Sequence, residues 1–184
     1  QTETKNYKLK TPNMNLQKLF FVSLLIAVFT TNTFAQATAT ATATATIIAP
    51  ITIANAVDMN FGNVAIQAGT AGTVVIAPEG TRTSTAGVTL PSTTGTLTQA
   101  SFTVGGEGVY TYTITIPSTD YTITDPVSAA TMIVNSFTST PSGTGTLTAG
   151  SQTLNVGATL NVGAAQTPGV YTNPTGFDVT VNYN

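Results

Sequence analysis

Two carboxylates, Asp120 and Asp125, flank the stretch Tyr121-Thr122-Ile123-Thr124 and are the only acids within a few residues of each other. Paired carboxyls are the machinery of glycoside hydrolysis, which needs them about 5–9.5 Å apart across a cleft. The same oxygens would also suit calcium. The sequence marks no cleft around them, and acids at strand ends are ordinarily solvated. Each of the six acids after residue 36 is therefore read as surface charge. Four tyrosines, Tyr110, Tyr112, Tyr121 and Tyr171, have rings that could stack on sugars. Tyrosines within strands belong more often to a core or a sheet face.

The remaining chemistry is excluded by residue type. The chain has no His and no Cys. That removes the usual zinc sites, a thiol nucleophile, a Ser-His-Asp triad and disulfide stapling. The lysines, Lys5, Lys8, Lys10 and Lys18, all precede position 19. Schiff-base chemistry and Lys–Asn isopeptide bonds are thus ruled out downstream. The expectation is a protein that is not an enzyme and carries no cofactor and no metal.

Charge narrows the partners. Only 7% of residues are charged, against about 25% in an average domain. From residue 36 on, six acids face the single base Arg82, a net of −5. Without a basic patch there is nothing to hold a phosphate backbone, so no nucleic-acid partner is expected. Thr fills 35 of those 149 positions, a composition suited to pleated sheet.

The positive charge belongs to a leader. After Met14, Lys18 precedes the apolar run from Leu19 to Phe29, and Thr33-Phe34-Ala35 follows. This order is that of a secretory signal cleaved after Ala35. The run is too short to span a bilayer, which takes about 20 residues. Residues 14–35 are accordingly read as a signal peptide and 1–13 as an upstream extension. The product is expected to be secreted, to the extracellular space or outer cell surface through the periplasm, with no stable membrane anchor after cleavage.

Residues 36–46 hold five Ala-Thr pairs and are read as a leader or a donor strand; 47–184 are read as the folded domain. Every odd position from 37 to 53 is apolar: Ala37, Ala39, Ala41, Ala43, Ala45, Ile47, Ala49, Ile51 and Ile53. Strict alternation is the mark of an extended strand with one apolar face. At about 3.3 Å per residue, seventeen residues reach ~56 Å, far beyond a typical strand of ~17–20 Å. Either the Ala-Thr part is a loose leader and 47–53 is the domain's own first strand, or the row pairs with something outside its domain. Periodicity does not distinguish these.

The rest reads as short strands between turns. Apolar runs at 61–66, 73–77, 88–90, 100–104, 109–116, 132–137 and 146–148 are bounded by Gly, Pro, Asn and Asp. Thr153-Leu154-Asn155-Val156-Gly157-Ala158 recurs as residues 159–164, and predicts a strand, a Gly bend and a second strand. The C-terminal strand alternates through Phe177, Val179, Val181 and Tyr183. These elements predict an all-β fold: an immunoglobulin-like, Greek-key β-sandwich of seven to nine strands with an extended N-terminal strand. The expected core is Ile51, Ile53, Phe61, Val64, Val74, Ile76, Phe102, Val104, Tyr110, Tyr112, Ile114, Ile133, Phe137, Leu160, Val162, Val179 and Val181.

Ile47–Ile53 with Phe61-Gly62-Asn63-Val64, the aromatic strand at 109–116, and the ending Thr159–Val162, Pro168–Tyr171 and Phe177–Tyr183 resemble the secreted bacterial "domain of unknown function 4402" family. The match covers essentially all of 37–184. The family is similar in turn to the spore-coat-U and chaperone–usher pilin superfamily. There an immunoglobulin-like subunit lacks one strand and receives it from the N-terminal extension of its neighbour. The resemblance implies a structural subunit of a filament or coat that self-associates by β-strand addition, with a periplasmic chaperone and usher as partners. The row Ala37–Ile53 would then be the donor. The alternative is a monomeric surface adhesin or glycan-binding module.

Overall fold

The computed structural model describes residues 35–184, and the upstream extension and nearly all of the signal segment lie outside them. The described residues fall into a short unit ending at Ala45 and a body, Thr46–Asn184. Residues 35–47 form no strand and are exposed.

The body is all-β, with no helix among the described residues. Its strands in chain order are β1 (Thr52–Val57), β2 (Asn60–Phe61), β3 (Ala65–Ile66), β4 (Gly72–Ile76), β5 (Arg82–Ala86), β6 (Val88–Thr89), β7 (Leu97–Thr98), β8 (Ala100–Gly105), β9 (Thr111–Thr115), β10 (Tyr121–Thr124), β11 (Thr131–Thr140), β12 (Thr144–Thr146), β13 (Ser151–Val162) and β14 (Thr180–Tyr183). All pairings are antiparallel. The larger sheet runs β1-β8-β13-β11-β10, with β4 also on β13 and β5 on β4. A smaller sheet runs β12-β9-β14, and β2–β7 and β3–β6 are separate short pairs. The strand count exceeds the expected seven to nine, and does so even without these two-residue pairs.

The twelve-residue β13 organises the fold. Its first half, Ser151–Val156, pairs with β8, and its second half, Ala158–Val162, pairs with β4 along the same edge. The expected bend at Gly157 does not occur. The repeat is six residues long, an even number, so both copies keep one pleat parity. Leu154, Val156, Ala158, Leu160 and Val162 are all buried in one continuous row. Gly157 marks instead the change of partner. A Cβ there would lie 2.2 Å from the Ile76 carbonyl oxygen, where β4 ends.

One cluster of buried side chains joins both sheets. Val104, Leu154 and Val156 from the larger sheet share it with Tyr112, Ile114 and Val181 from the smaller one. Tyr112 is fully buried. Its hydroxyl donates to Gln152 Oε1 at 2.8 Å, and the Thr146 N–H donates to the same oxygen at 2.9 Å. A buried phenol is thereby satisfied rather than stranded. Burial raises the Tyr112 pKa above its ordinary value.

Two core expectations and one strand expectation are corrected. Tyr110 is 46% exposed, because the strand starts at Thr111 and Tyr110 belongs to the preceding turn. Its ring packs against Tyr183 at the surface, with centroids 5.8 Å apart. Ile133 is only half-buried, and Val134 takes the inward position. A bulge between Asn135 and Thr138, with Ser136 at φ 51°, inserts a residue into β11. It changes the parity that faces the core, so Val134 and Phe137 both point inward. The run at 61–66 is not one strand. It breaks between β2 and β3 at Gly62, whose φ of 68° is left-handed.

Candidate functional site

The N-terminal row divides at the body. Thr52–Val57 pairs with β8, placing Ile53 opposite Val104. Ile51 and Ile53 pack on the core. These two residues serve their own domain. Ala37, Ala39, Ala41, Ala43 and Ala45 are exposed and belong to no strand, and Ile47 is 96% exposed. A single seventeen-residue strand therefore does not form within this chain. Pro50 offers no N–H to a ladder, and the parity is already lost there, since Ile48 rather than Ile47 is the half-buried member.

A clasp holds the point where the free segment leaves the body. Tyr183 Oη donates to the Ala49 carbonyl at 3.0 Å and accepts from the Glu107 N–H at 2.7 Å. The Ala49 N–H reaches Glu107 Oε2 at 3.4 Å. The turn Gly105-Gly106-Glu107-Gly108 makes this possible. A Cβ on Gly106 would sit 2.2 Å from the Tyr183 hydroxyl. The C-terminal row keeps its alternating burial, but only Thr180–Tyr183 forms a strand, and Phe177 and Val179 precede it. Val181 is buried, with Phe177, Val179 and Tyr183 half-buried around it.

Beyond Gly157 the larger sheet lines a cleft of about 1060 Å³. Ile123, Met132, Val134, Leu160 and Val162 contribute from β10, β11 and β13. The other lining comes from Tyr121, Thr96, the segment 58–66 that carries β2 and β3, and the loop at 166–177. Phe177 anchors that loop. Its ring lies 4.9 Å from Phe137, 5.8 Å from Tyr121 and 6.5 Å from Phe102, centroid to centroid. Tyr121 donates to the Asn173 carbonyl at 3.1 Å, and its pKa is raised, chiefly by desolvation. Arg82 secures the 58–66 segment, donating from Nη1 to the Phe61 carbonyl at 2.6 Å and the Asn63 carbonyl at 3.1 Å. The lone base after residue 18 is thus engaged with neutral backbone.

The two carboxylates of the 120–125 segment are engaged separately. Asp120 accepts from Asn135 Nδ2 at 2.9 Å. Asp125 is buried in the turn after β10. It accepts from the Ser128 hydroxyl, the Ser128 N–H and the Val127 N–H. Those bonds, the Ser128 hydroxyl first and then the Val127 amide, hold its pKa below the ordinary carboxylate value. Asp125 works as a turn lock, with Gly169 of the cleft loop packed against it.

Residues 51–183 match the family described as domain of unknown function DUF4402. The chain belongs to this family. The matched span opens at Ile51, so the Ala-Thr row lies outside it. No curated protein and no solved structure matches the chain. The DUF4402 domain therefore comprises the clasp's tyrosine, all of the sheets and the cleft.

Sequence reasoning did not find the cleft. Of its lining, Tyr121 and Tyr171 stand out by residue type, whereas Gln166, Asn173 and the loop role of Phe177 do not. The sequence carries a signal in residues 163–176, a stretch broken by Pro168, Gly169, Pro174 and Gly176 with no alternating apolar row. Structureless loops longer than about 12–15 residues inside a domain are uncommon and usually functional.

Proposed function

We propose that this chain is a non-catalytic structural subunit of an extracellular filament or surface coat, assembled by β-strand addition. One observation carries the reading. The chain holds an alternating, unpaired and exposed N-terminal segment, and also a cleft lined by apolar residues of its own sheet. An extended segment that adds to a sheet gains main-chain hydrogen bonds, and its alternate side chains fill a groove. Ala37 to Ile47 supply such a row. In this reading the body is an immunoglobulin-like, Greek-key sandwich related to the spore-coat-U and pilin superfamily. Residues 14–35 direct export and a periplasmic chaperone and usher handle the subunit. The sparse charge and the absence of His and Cys agree with a building material.

The test compares the chain with and without residues 37–47, which spares the clasp at Ala49 and the core residue Ile51, by size exclusion and electron microscopy. Polymers or oligomers that vanish on deletion support the reading. Monomers in both cases, at high concentration and after slow refolding, defeat it.

A second reading is a glycan-binding surface module. It is favoured by Tyr121, Tyr171, Asn173 and Gln166 lining one cleft. Glycan-array binding lost on Tyr121→Ala would support it; absence of binding to any glycan would count against it.

A further inference from the structure

We propose that the joint between subunits slides: the Ala-Thr segment of a second copy occupies the cleft in several equivalent registers, two residues apart. This rests on strand donation as the mode of assembly and adds its mechanical character.

The occupant follows from where the free segment leaves the body and how far it reaches. The clasp at Ala49 lies near the Ser151 end of β13, since Gly105 pairs with both Thr52 and Ser151. The cleft lies toward the other end, at Leu160 and Val162. Nine residues of strand separate Ser151 from Leu160, about 30 Å at ~3.3 Å per residue. Residues 36–48 span at most ~43 Å by the same measure. A chain seating its own segment would spend most of it in transit. A second copy can deliver the whole repeat.

The registers follow from the repeat. A strand shows one face per parity. A slip of two residues, about 6.6 Å, exchanges each inward Ala for another Ala and each outward Thr for another Thr. Contacts inside the cleft are then unchanged. A slip of one residue instead turns threonine hydroxyls toward the sheet wall of Ile123, Val134 and Leu160, whose side chains offer no hydrogen-bond partner, and alanines toward the polar loop side with Asn173 and Gln166, which is unfavourable. Register is ordinarily specified by distinct side chains, and here residues 37–46 carry none. The joint would therefore lengthen or shorten in steps of about 6.6 Å while keeping the same kind of seat.

The cysteine-free chain permits a clean test. One preparation carries a single acceptor, Ile123→Cys. Separately tagged preparations carry one donor each: Ala39→Cys, Ala41→Cys, Ala43→Cys or the even-position control Thr42→Cys. Val64→Cys serves as a second acceptor should the first disturb folding. A disulfide needs Cβ atoms about 3.5–4.5 Å apart, so a fixed register admits only one donor per acceptor. Mixed copies are oxidised, and inter-copy disulfides are quantified by mass spectrometry.

The expected result is cross-linking from all three odd positions, with yields within roughly tenfold of one another because the registers are near-equivalent, and little from Thr42→Cys. Adding Ala45→Ile to each donor should concentrate the yield on one position. Cross-linking from a single odd position in the unmodified repeat overturns sliding and leaves strand donation standing. No cross-link at either acceptor, or equal yields from odd and even positions, overturns both.

Discussion

The hydroxyl of Tyr183, one residue from the end of the chain, bonds to the carbonyl of Ala49, 134 positions earlier. The same oxygen accepts from Glu107, so one phenol joins the C-terminal strand, a glycine-rich turn and the root of the free N-terminal segment. The body thus controls where the free segment begins.

Replacing Tyr183 by Phe keeps the ring against Tyr110 and removes both bonds. The expected cost is about 1 kcal/mol, typical of a hydrogen bond. Thermal unfolding should shift modestly. Hydrogen exchange should rise at Glu107, whose N–H loses its acceptor, while the β8–β13 ladder stays protected.

Gly157 should tolerate no side chain. An added Cβ meets the Ile76 carbonyl at 2.2 Å and the backbone of Ala77 and Pro78 at 2.8 Å. Backbone moves less readily than a side-chain tip, so Gly157→Ala is expected to lose roughly 2–3 kcal/mol, as for overpacking. Chemical denaturation checks this. A loss under 0.5 kcal/mol, a limit set at about the scale of ordinary surface substitutions, would disprove the close approach.

Arg82→Met should free the loop around Phe61 and Asn63. Hydrogen bonds from a charged donor contribute about 1.5–3 kcal/mol, and the partial exposure of this residue argues for the lower end. Both acceptors are neutral carbonyls, so the effect should be nearly independent of salt. A strongly salt-dependent difference would show that Arg82 acts through a carboxylate instead.

Asp125 should make stability depend on acid pH. Its folded pKa lies below the ordinary 3.8 because the carboxylate accepts three bonds. A group depressed in the folded state stabilises above its unfolded pKa and loses that contribution as the pH falls through the folded value. Wild type should exceed Asp125→Asn by a constant margin above about pH 5, and the margin should shrink below about pH 4. Paired melts across this range measure it. A margin that grows on acidification would reverse the sign and refute the lock.

The strands that were easiest to read are those with one face buried. Val179, Val181 and Tyr183 keep their parity, and so do Val74, Ile76, Phe102 and Val104. β5, Arg82-Thr83-Ser84-Thr85-Ala86, left no trace, because an edge strand with no apolar row gives periodicity nothing to detect. On β11 Phe137, beyond the bulge, is buried as expected, whereas before the bulge Val134 takes the place expected of Ile133. The cleft was invisible for a related reason. Its sheet residues look like any core residues, and only the spatial arrangement sets a cleft beside them, with Ile123 and Met132 half-buried.

Sequence alone determined the all-β class, the family, the absence of His and Cys and the alternating N-terminal row. Each of these depends on local pattern or composition, and neither needs distant contacts. Tertiary structure decided where that row divides, at Ile51 and Ile53, and that Gly157 continues a strand. It decided as well that Tyr183 clasps Ala49 and that the second half of β13 borders a cleft. Those outcomes depend on which edges meet across more than fifty residues of chain, and pleat parity carries no information about partners.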